Sequence, residues 1–231
     1  MGGLMGSVRV VRVFTNPEGK YGNPLGVVED GPSVPEPERR QAIAADLGFS
    51  ESIFIDDPAT ATIRIYSGKR EVPFAGHAAV GAAWLLGQIT GIIPSKLRTA
   101  AGDADTWEKD GATWVRSALG TTPAWWHERL RTLAEVEALT GPLDPSQDMT
   151  QLWAWQDEAA GIMRARTFAA RAGIPEDEAC GSGAMRIAAA LGRPLTLHHG
   201  QGSVIFANPG PPGYADIGGH VAEDSPRRTR S

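Results

Sequence analysis

Ala75-Gly76-His77-Ala78-Ala79 and Cys180-Gly181-Ser182-Gly183-Ala184 are two runs of one kind, small residues around a glycine at the head of an apolar stretch. Each follows a strand-like run, ending at Tyr66 in the first case and at Phe168 in the second, where a short insertion intervenes. Each leads into a small-residue helix, predicted over about 77–86 and 182–191. Similarity of this kind within one chain predicts two related halves.

Outward from these runs the order of elements repeats. In the first half, strand one is predicted over 8–14, ending at the Thr15-Asn16-Pro17 turn signal, and the Gly22-Asn23-Pro24-Leu25 turn leads into Gly26-Val27-Val28. A helix is predicted over 35–48, with Ala42, Ile43, Ala45 and Leu47 on or near its inner face and Gly48 as its stop, before strands at 52–55 and 62–66. In the second half a helix over 130–139, stopped by Gly141, corresponds to that first helix. A strand over 163–168 and a Gly-Ile-Pro-Glu-Asp loop at 173–177 then precede the second small-residue helix. The seam is placed near 118–125, which gives halves of 7–120 and 121–222 and a polar, mobile tail over 223–231. The fold class is α+β: two pseudo-symmetric halves, each a curved mixed or antiparallel sheet around a central helix, with the gap between them as the natural cleft. The segment 103–160 holds six of the seven tryptophans, and its elements are not assigned from the sequence.

Composition narrows the function classes. At 231 residues with 42% hydrophobic and 21% charged residues, the chain is long and apolar enough to bury a core. A net charge of −5 offers no basic excess for nucleic acid. The single cysteine, Cys180, forms no internal disulfide and belongs to no zinc-type cluster, so a reducing, cytoplasmic setting and no metal are expected. The stretch from Ala78 to Ile93, interrupted by Gln88, is shorter than the roughly 20 residues of a bilayer span, and no membrane association is expected. No phosphate-cradling loop occurs, and Gly181-Ser-Gly-Ala-Met-Arg186 is not a dinucleotide fingerprint, so no organic cofactor is expected. Ser182 lacks the surroundings of a nucleophile elbow. His127, His198, His199 and His220 are read as structural or solvated.

Glu51 is the candidate for proton chemistry. In an extended strand it shares a face with Phe49, Ile53 and Ile55, and a carboxyl on an apolar face is pushed toward a pKa at which it holds and releases a proton near neutrality. If the strand begins after Glu51, the carboxylate is instead solvated; periodicity alone weighs the two equally. The approaches to both small-residue helices end in glycine. Gly76, Gly181 and Gly183 allow close backbone approach where amides are unpaired and the helix dipole is positive, a setting for a substrate carboxylate or a developing enolate.

Four motifs then carry a resemblance: Arg12-Val-Phe-Thr…Gly22-Asn-Pro-Leu-Gly-Val-Val28, Glu51-Ser-Ile-Phe-Ile55, Pro73-Phe-Ala-Gly-His77 and Glu176-Asp-Glu-Ala-Cys-Gly-Ser182. In order and spacing they resemble the phenazine-biosynthesis-like (PhzF-like) family, as does Gln201-Gly202, over most of 8–98 and 163–221. The resemblance implies the diaminopimelate epimerase-like fold, a homodimer, and an isomerase without metal or organic cofactor that moves a proton between carbons of a small carboxylate-bearing substrate. Carried over by motif, Glu51 is the proton carrier and His77 and Asp177 line the site. Asn23, Gly76, Gly181, Ser182 and Gly183 contact the substrate. The chain departs from the pattern at Glu178, where the family has proline, at Cys180, where it has threonine, and at Gly183. These changes bring the second motif closer to the Ala-Cys-Gly-x-Gly-Ala segment of diaminopimelate epimerase, but Ala75 stands opposite Cys180 in the repeat, so a two-thiol mechanism is excluded. The alternatives are an amino-acid epimerase or racemase using Cys180 with a second base, and a binding protein that keeps the fold without turnover.

Overall fold

A computed structural model of the chain describes residues 8–170 and 173–228. Contacts divide the described residues into two compact units, 8–13, 24–115 and 221–228 in one, 14–23, 116–170 and 173–220 in the other. Segment 14–23 belongs with the second unit, and the C-terminal strand ends in the first.

The first unit contains β1 (Val8–Thr15, mainly), β2 (Asn23–Val28), α1 (Pro37–Leu47), β3 (Glu51–Asp57), β4 (Thr62–Ser67), the two-residue β5 (Glu71–Val72), α2 (Gly76–Thr90), β6 (Lys96–Thr99), β7 (Gly102–Lys109) and the first half of β8 (Ala112–Ala118). Its strands pair in the order β1-β2-β3-β4-β6-β7, with β5 on β4. β2 runs parallel to β3 and β4 parallel to β6, while β3–β4 and β6–β7 are antiparallel. A parallel pair needs a crossover, usually helical, and α1 and α2 occupy the two crossovers.

The second unit repeats this build. It holds β9 (Trp126–Arg129), α3 (Leu133–Glu137), β10 (Thr150–Asp157), β11 (Ile162–Ala169), β12 (Ile174–Asp177), α4 (Gly181–Leu191), β13 (Leu195–His199), β14 (Ser203–Pro209) and the first half of β15 (Tyr214–Arg227). β9 is parallel to β10 and β11 to β13, with antiparallel β10–β11, β13–β14 and β14–β15 pairs and β12 on β11. α3 and α4 fill the parallel crossovers. The Trp-rich segment is thus strand throughout much of its length, and alternation of large and small side chains along β10 packs its tryptophans, Trp153 and Trp155 edge to face at 5.0 Å.

Several expectations shift by a few residues, each for a physical reason. α1 buries Arg40, Ile43, Ala44 and Leu47, one face at i, i+3, i+4 and i+7, while Ala42 and Ala45 are exposed. A buried arginine on that face hides the periodicity. Arg40 donates to the carbonyls of Val34 (2.7 Å) and Gly31 (2.9 Å) and pairs with Asp56 at 2.6 Å. α3 is only five residues long, closed by a Thr132/Glu135 capping box. The 173–177 segment, expected as a loop, is largely strand β12, because its backbone adds to the edge of β11. Residues 223–227, expected in a polar tail, extend β15. Their charges are matched: Arg9 pairs with Glu223, Arg12 with Asp224 at 2.7 Å, and Arg227 lies over the Phe49 ring. Residues 229–231 of that segment lie outside the described residues. No helix among the described residues is long and apolar enough to cross a membrane.

α2 is the core of the first unit, with every residue from Gly76 to Ala83 buried, and Leu85 and Leu86 as well. Gly81 lets the sheet approach. A Cβ there would stand 2.6 Å from Leu25 Cδ2 and 2.8 Å from Val13 Cγ2. A helix-interior Gly→Ala change ordinarily stabilises by about 0.5–1 kcal/mol, but overpacking costs about 1–3 kcal/mol. Gly81→Ala is therefore expected to lower unfolding stability by about 1–2 kcal/mol net, read from the urea midpoint; an unchanged or raised midpoint would show that the sheet relaxes freely.

Candidate active site

The first unit brings Glu51 and His77 together. Glu51 opens β3, paired with Ser67 of β4, and the residues that follow, Ser52 to Ile55, are buried on both faces of the strand. Desolvation therefore does not depend on which face Glu51 takes. Its side chain is 19% exposed, and His77, in the first turn of α2, places Nδ1 3.2 Å from Glu51 Oε2. Burial pushes the Glu51 carboxyl up to about 7, opposed by a hydrogen bond from Ser50. A proton shared across the Glu51–His77 contact has a donor and an acceptor in either direction.

The second unit gathers Asn23, Asp177, Cys180, Ser182 and Gly183. Asp177 ends β12 and accepts from Asn23 Nδ2 at 2.8 Å and from the Ala179 amide at 3.2 Å; Asn23 also donates to the Ala179 carbonyl. Asn23 is nearly fully buried, so in this arrangement it fixes the approach to α4. Cys180 is the N-cap of α4, buried, with Sγ 3.7 Å from Ser182 Oγ, and Ser182 accepts from the Trp125 indole N–H at 2.8 Å.

Glu176 and Glu178 point elsewhere. Glu176 pairs with Arg166 at 2.6 Å, and Glu178 accepts from the Gln201 amide and from Ser203 at 2.7 Å. The departure to Glu178 thus anchors the turn after β13. Both acids line a polar cavity of about 710 Å³ with Glu137, Arg164 and Arg166, in which the charges pair with one another. None of the expected site residues lines it. His199 is wholly buried, its ring between Thr167 Oγ1 (2.9 Å) and the Glu178 carbonyl (3.0 Å), with its pKa pushed by burial down to about 4. That is a structural role.

Sequence reasoning passed over Gln151 and Trp125 as site residues and read His127 as structural or solvated. Gln151 is fully buried beside Gly183. The signal was in the repeat: Asp57-Pro-Ala-Thr-Ala61 and Asp157-Glu-Ala-Ala-Gly161 are matching turns, and six residues before each aspartate stand Glu51 and Gln151.

Comparison with known proteins agrees with this build. The family model described as phenazine biosynthesis-like protein (PhzC-PhzF) matches residues 11–113. A trans-2,3-dihydro-3-hydroxyanthranilate isomerase of Pseudomonas fluorescens is 30% identical, with 78% of each chain covered. Among solved structures, a PhzF-family phenazine biosynthesis protein of Bacillus anthracis superposes with a TM-score of 0.75 at 18% identity, covering 98% of this chain and 100% of that one. A hydroxyproline epimerase of Agrobacterium vitis reaches 0.56 at 13% identity, covering 96% and 92%. The α+β build of two repeated units is thus the fold that PhzF proteins share with epimerases of this kind. The chain belongs to the phenazine biosynthesis-like (PhzF) family, and it is an isomerase.

The raised Glu51 pKa has a thermodynamic consequence. Between about 4.5 and 7 the folded protein holds a proton that the unfolded chain has lost, so stability falls as pH rises through this window. Glu51→Gln removes the ionisation. At about pH 8 the variant is expected to be more stable than the parent by up to about 3 kcal/mol, with the advantage vanishing below about pH 4.5. Urea midpoints measured across pH check this, and a gain that does not change with pH would show that the carboxyl is not desolvated.

Proposed function

We propose that this isomerase moves a proton between carbons of a small, carboxylate-bearing cyclic substrate, with Glu51 as the general acid and base. The observation that supports the reading is a carboxyl group titrating near neutrality at the start of a doubly buried strand, in contact with His77. Near pH 7 such a group is present in both protonation states, which suits taking and then returning a proton. Glu51 removes a proton from a carbon next to an acidifying group. The electron pair of the broken C–H bond enters the adjoining π system, and Glu51, whose carboxyl proton exchanges with solvent, returns a proton to another carbon as the double bond shifts. Substrate and product have the same composition, so no oxidant or cofactor is called for.

His77 steadies the carboxyl through the cycle. The first-turn amides of α2 and α4, where Gly76, Gly181, Ser182 and Gly183 stand, are suited to a substrate carboxylate. Asp177, held by Asn23, adds an acceptor for a substrate donor. The relatives' compound, trans-2,3-dihydro-3-hydroxyanthranilate, is the first substrate to try. The same reading has the protein acting as a cytoplasmic homodimer, with neither nucleic acid nor membrane as a partner.

A second reading draws on Cys180, the N-cap of α4, where a thiolate is favoured. In that case the thiol, with another base, would epimerise an amino acid. Incorporation of deuterium from solvent into trans-2,3-dihydro-3-hydroxyanthranilate separates the two. Glu51→Gln is expected to slow exchange by at least about 10²-fold, with Cys180→Ala close to the parent rate. Undiminished exchange in Glu51→Gln would reject the assignment, and loss in Cys180→Ala instead would pass the role to the thiol.

A further inference from the structure

Gln151 holds in the second repeat the place that Glu51 holds in the first. The turns that fix the comparison are built alike: Asp57 Oδ1 accepts from the Ala59 amide at 2.9 Å and Asp157 Oδ1 from the Ala160 amide at 3.0 Å, and Ala61 and Gly161 both take positive φ, 52° and 73°. Both ladders carry an irregularity at the same step, Ile55/Asp57 and Trp155/Asp157. Glu51 then pairs with Ser67 in β4, and Gln151 with Thr167 in β11.

The parallel extends to the helices. Glu51 reaches His77 in the first turn of α2. Gln151 is turned toward the first turn of α4: a Cβ on Gly183 would stand 3.2 Å from Gln151 Nε2 and 3.3 Å from Cys180 Sγ. Glycine at 183 therefore goes with the amide and the thiol that fill the space beside it. Gln151 is 0% exposed, and neither its Oε1 nor its Nε2 has a hydrogen-bond partner.

His127 stands next to it in the parallel β9–β10 register, on the same face, and both ring nitrogens are likewise buried and unpartnered. Burial pushes the His127 pKa down to about 4, and the Arg186 charge adds to this. The Gln151 amide opposes the shift without forming a well-directed hydrogen bond. Even with one contact between them, these two adjacent side chains leave buried donors and acceptors unsatisfied on one face, beneath a helix N-terminus. Native proteins carry few such atoms, and each calls for a partner.

The donors and acceptors define that partner. A neutral imidazole offers one of each, and a carboxamide offers two donors and an acceptor. Neither is charged, so the pair suits an uncharged group that both donates and accepts. We propose that Gln151, with His127, determines specificity in the second unit by hydrogen-bonding a hydroxyl or amino substituent of the substrate ring, beside a carboxylate taken by the first-turn amides of α4. This rests on the reading of the substrate as a small cyclic acid. Ser182, next to Gly183 in the first turn of α4, is half-buried and accepts from the half-buried Trp125, and the proposed ligand enters past that pair.

The test uses three acids with no proton to move, benzoate, anthranilate and 3-hydroxyanthranilate, titrated calorimetrically into the full chain. The parent protein is expected to bind the substituted acids at least about tenfold more tightly than benzoate. In Gln151→Met, which keeps the shape and removes the amide, benzoate affinity is expected to stay within about twofold and the preference to disappear. The Tm is expected to rise by about 2–4 °C, because an unpaired buried amide has been replaced by an apolar group. Gln151→Asn, whose amide falls one carbon short, should also lose the preference and serves if the first variant does not fold. Equal weakening of all three acids, a lowered Tm in Gln151→Met, a preference retained in Gln151→Asn, or a parent protein that does not discriminate would each overturn the proposal. Isotope exchange in Glu51→Gln tests proton transfer and this binding series tests recognition, so the failure of either is read separately from the other.

Discussion

The candidate site depends on a carboxyl group that is largely desolvated at the junction of a strand and a helix. β3 is flanked by β2 and β4 and covered on both faces, so its first side chain has little water to retreat to. The helix beginning at Gly76 presents His77 to that carboxyl. Desolvation raises the pKa, and the contact supplies a partner in either protonation state. The arrangement is destabilising at the pH where it is useful, since an ionised carboxyl in this position is poorly solvated. A carboxyl held at such a cost is what singles out position 51 as the candidate for the proposed proton transfer.

The parallel crossovers explain why the same junction occurs twice. In each unit a strand, a helix and a second parallel strand form one crossover, and the preceding helix belongs to another, so the start of β3 or β10 is carried to the first turn of α2 or α4. The fold makes the place; the residue decides its use. A carboxylic acid at 51 titrates, whereas the carboxamide at 151 does not, and the two junctions therefore cannot exchange roles. The repeat thus keeps a titrating group at this position in one unit and a neutral amide at the matching position in the other.

Much of this was legible in the sequence, for physical reasons that can be located. Both small-residue helices announce themselves, since a helix with a wide buried face must be apolar and small over most of its length, and α2 and α4 are predicted within a residue or two of their starts. Glu51 and His77 were singled out, and the structure places them in contact. The inner face of α1 was misplaced because Arg40 is buried there on carbonyls and Asp56, which no hydropathy pattern displays. β12 was missed because an edge strand is held by backbone pairing, to which Pro175 and two acids give no outward sign. The end of the chain read as a tail because its residues are polar, yet opposite charges on β1 make that polarity a reason for order.

Gln151 was illegible for a different reason. A glutamine in a strand rich in tryptophan carries no motif, and its meaning appears only when the two turns after β3 and β10 are aligned on their aspartates. The aligned strands themselves, Glu-Ser-Ile-Phe-Ile and Gln-Leu-Trp-Ala-Trp, share no residue. What persists between them is the register, because the turn, the irregularity before the aspartate and the crossover helix all fix which side chain meets the helix. Register is set by backbone pairing and burial, and a shift of one residue would turn every side chain to the other face. A position in a repeated sheet can therefore keep its geometric role after every neighbouring residue has changed, and the chemistry of the occupant, here an amide in place of an acid, is the part that remains free to vary.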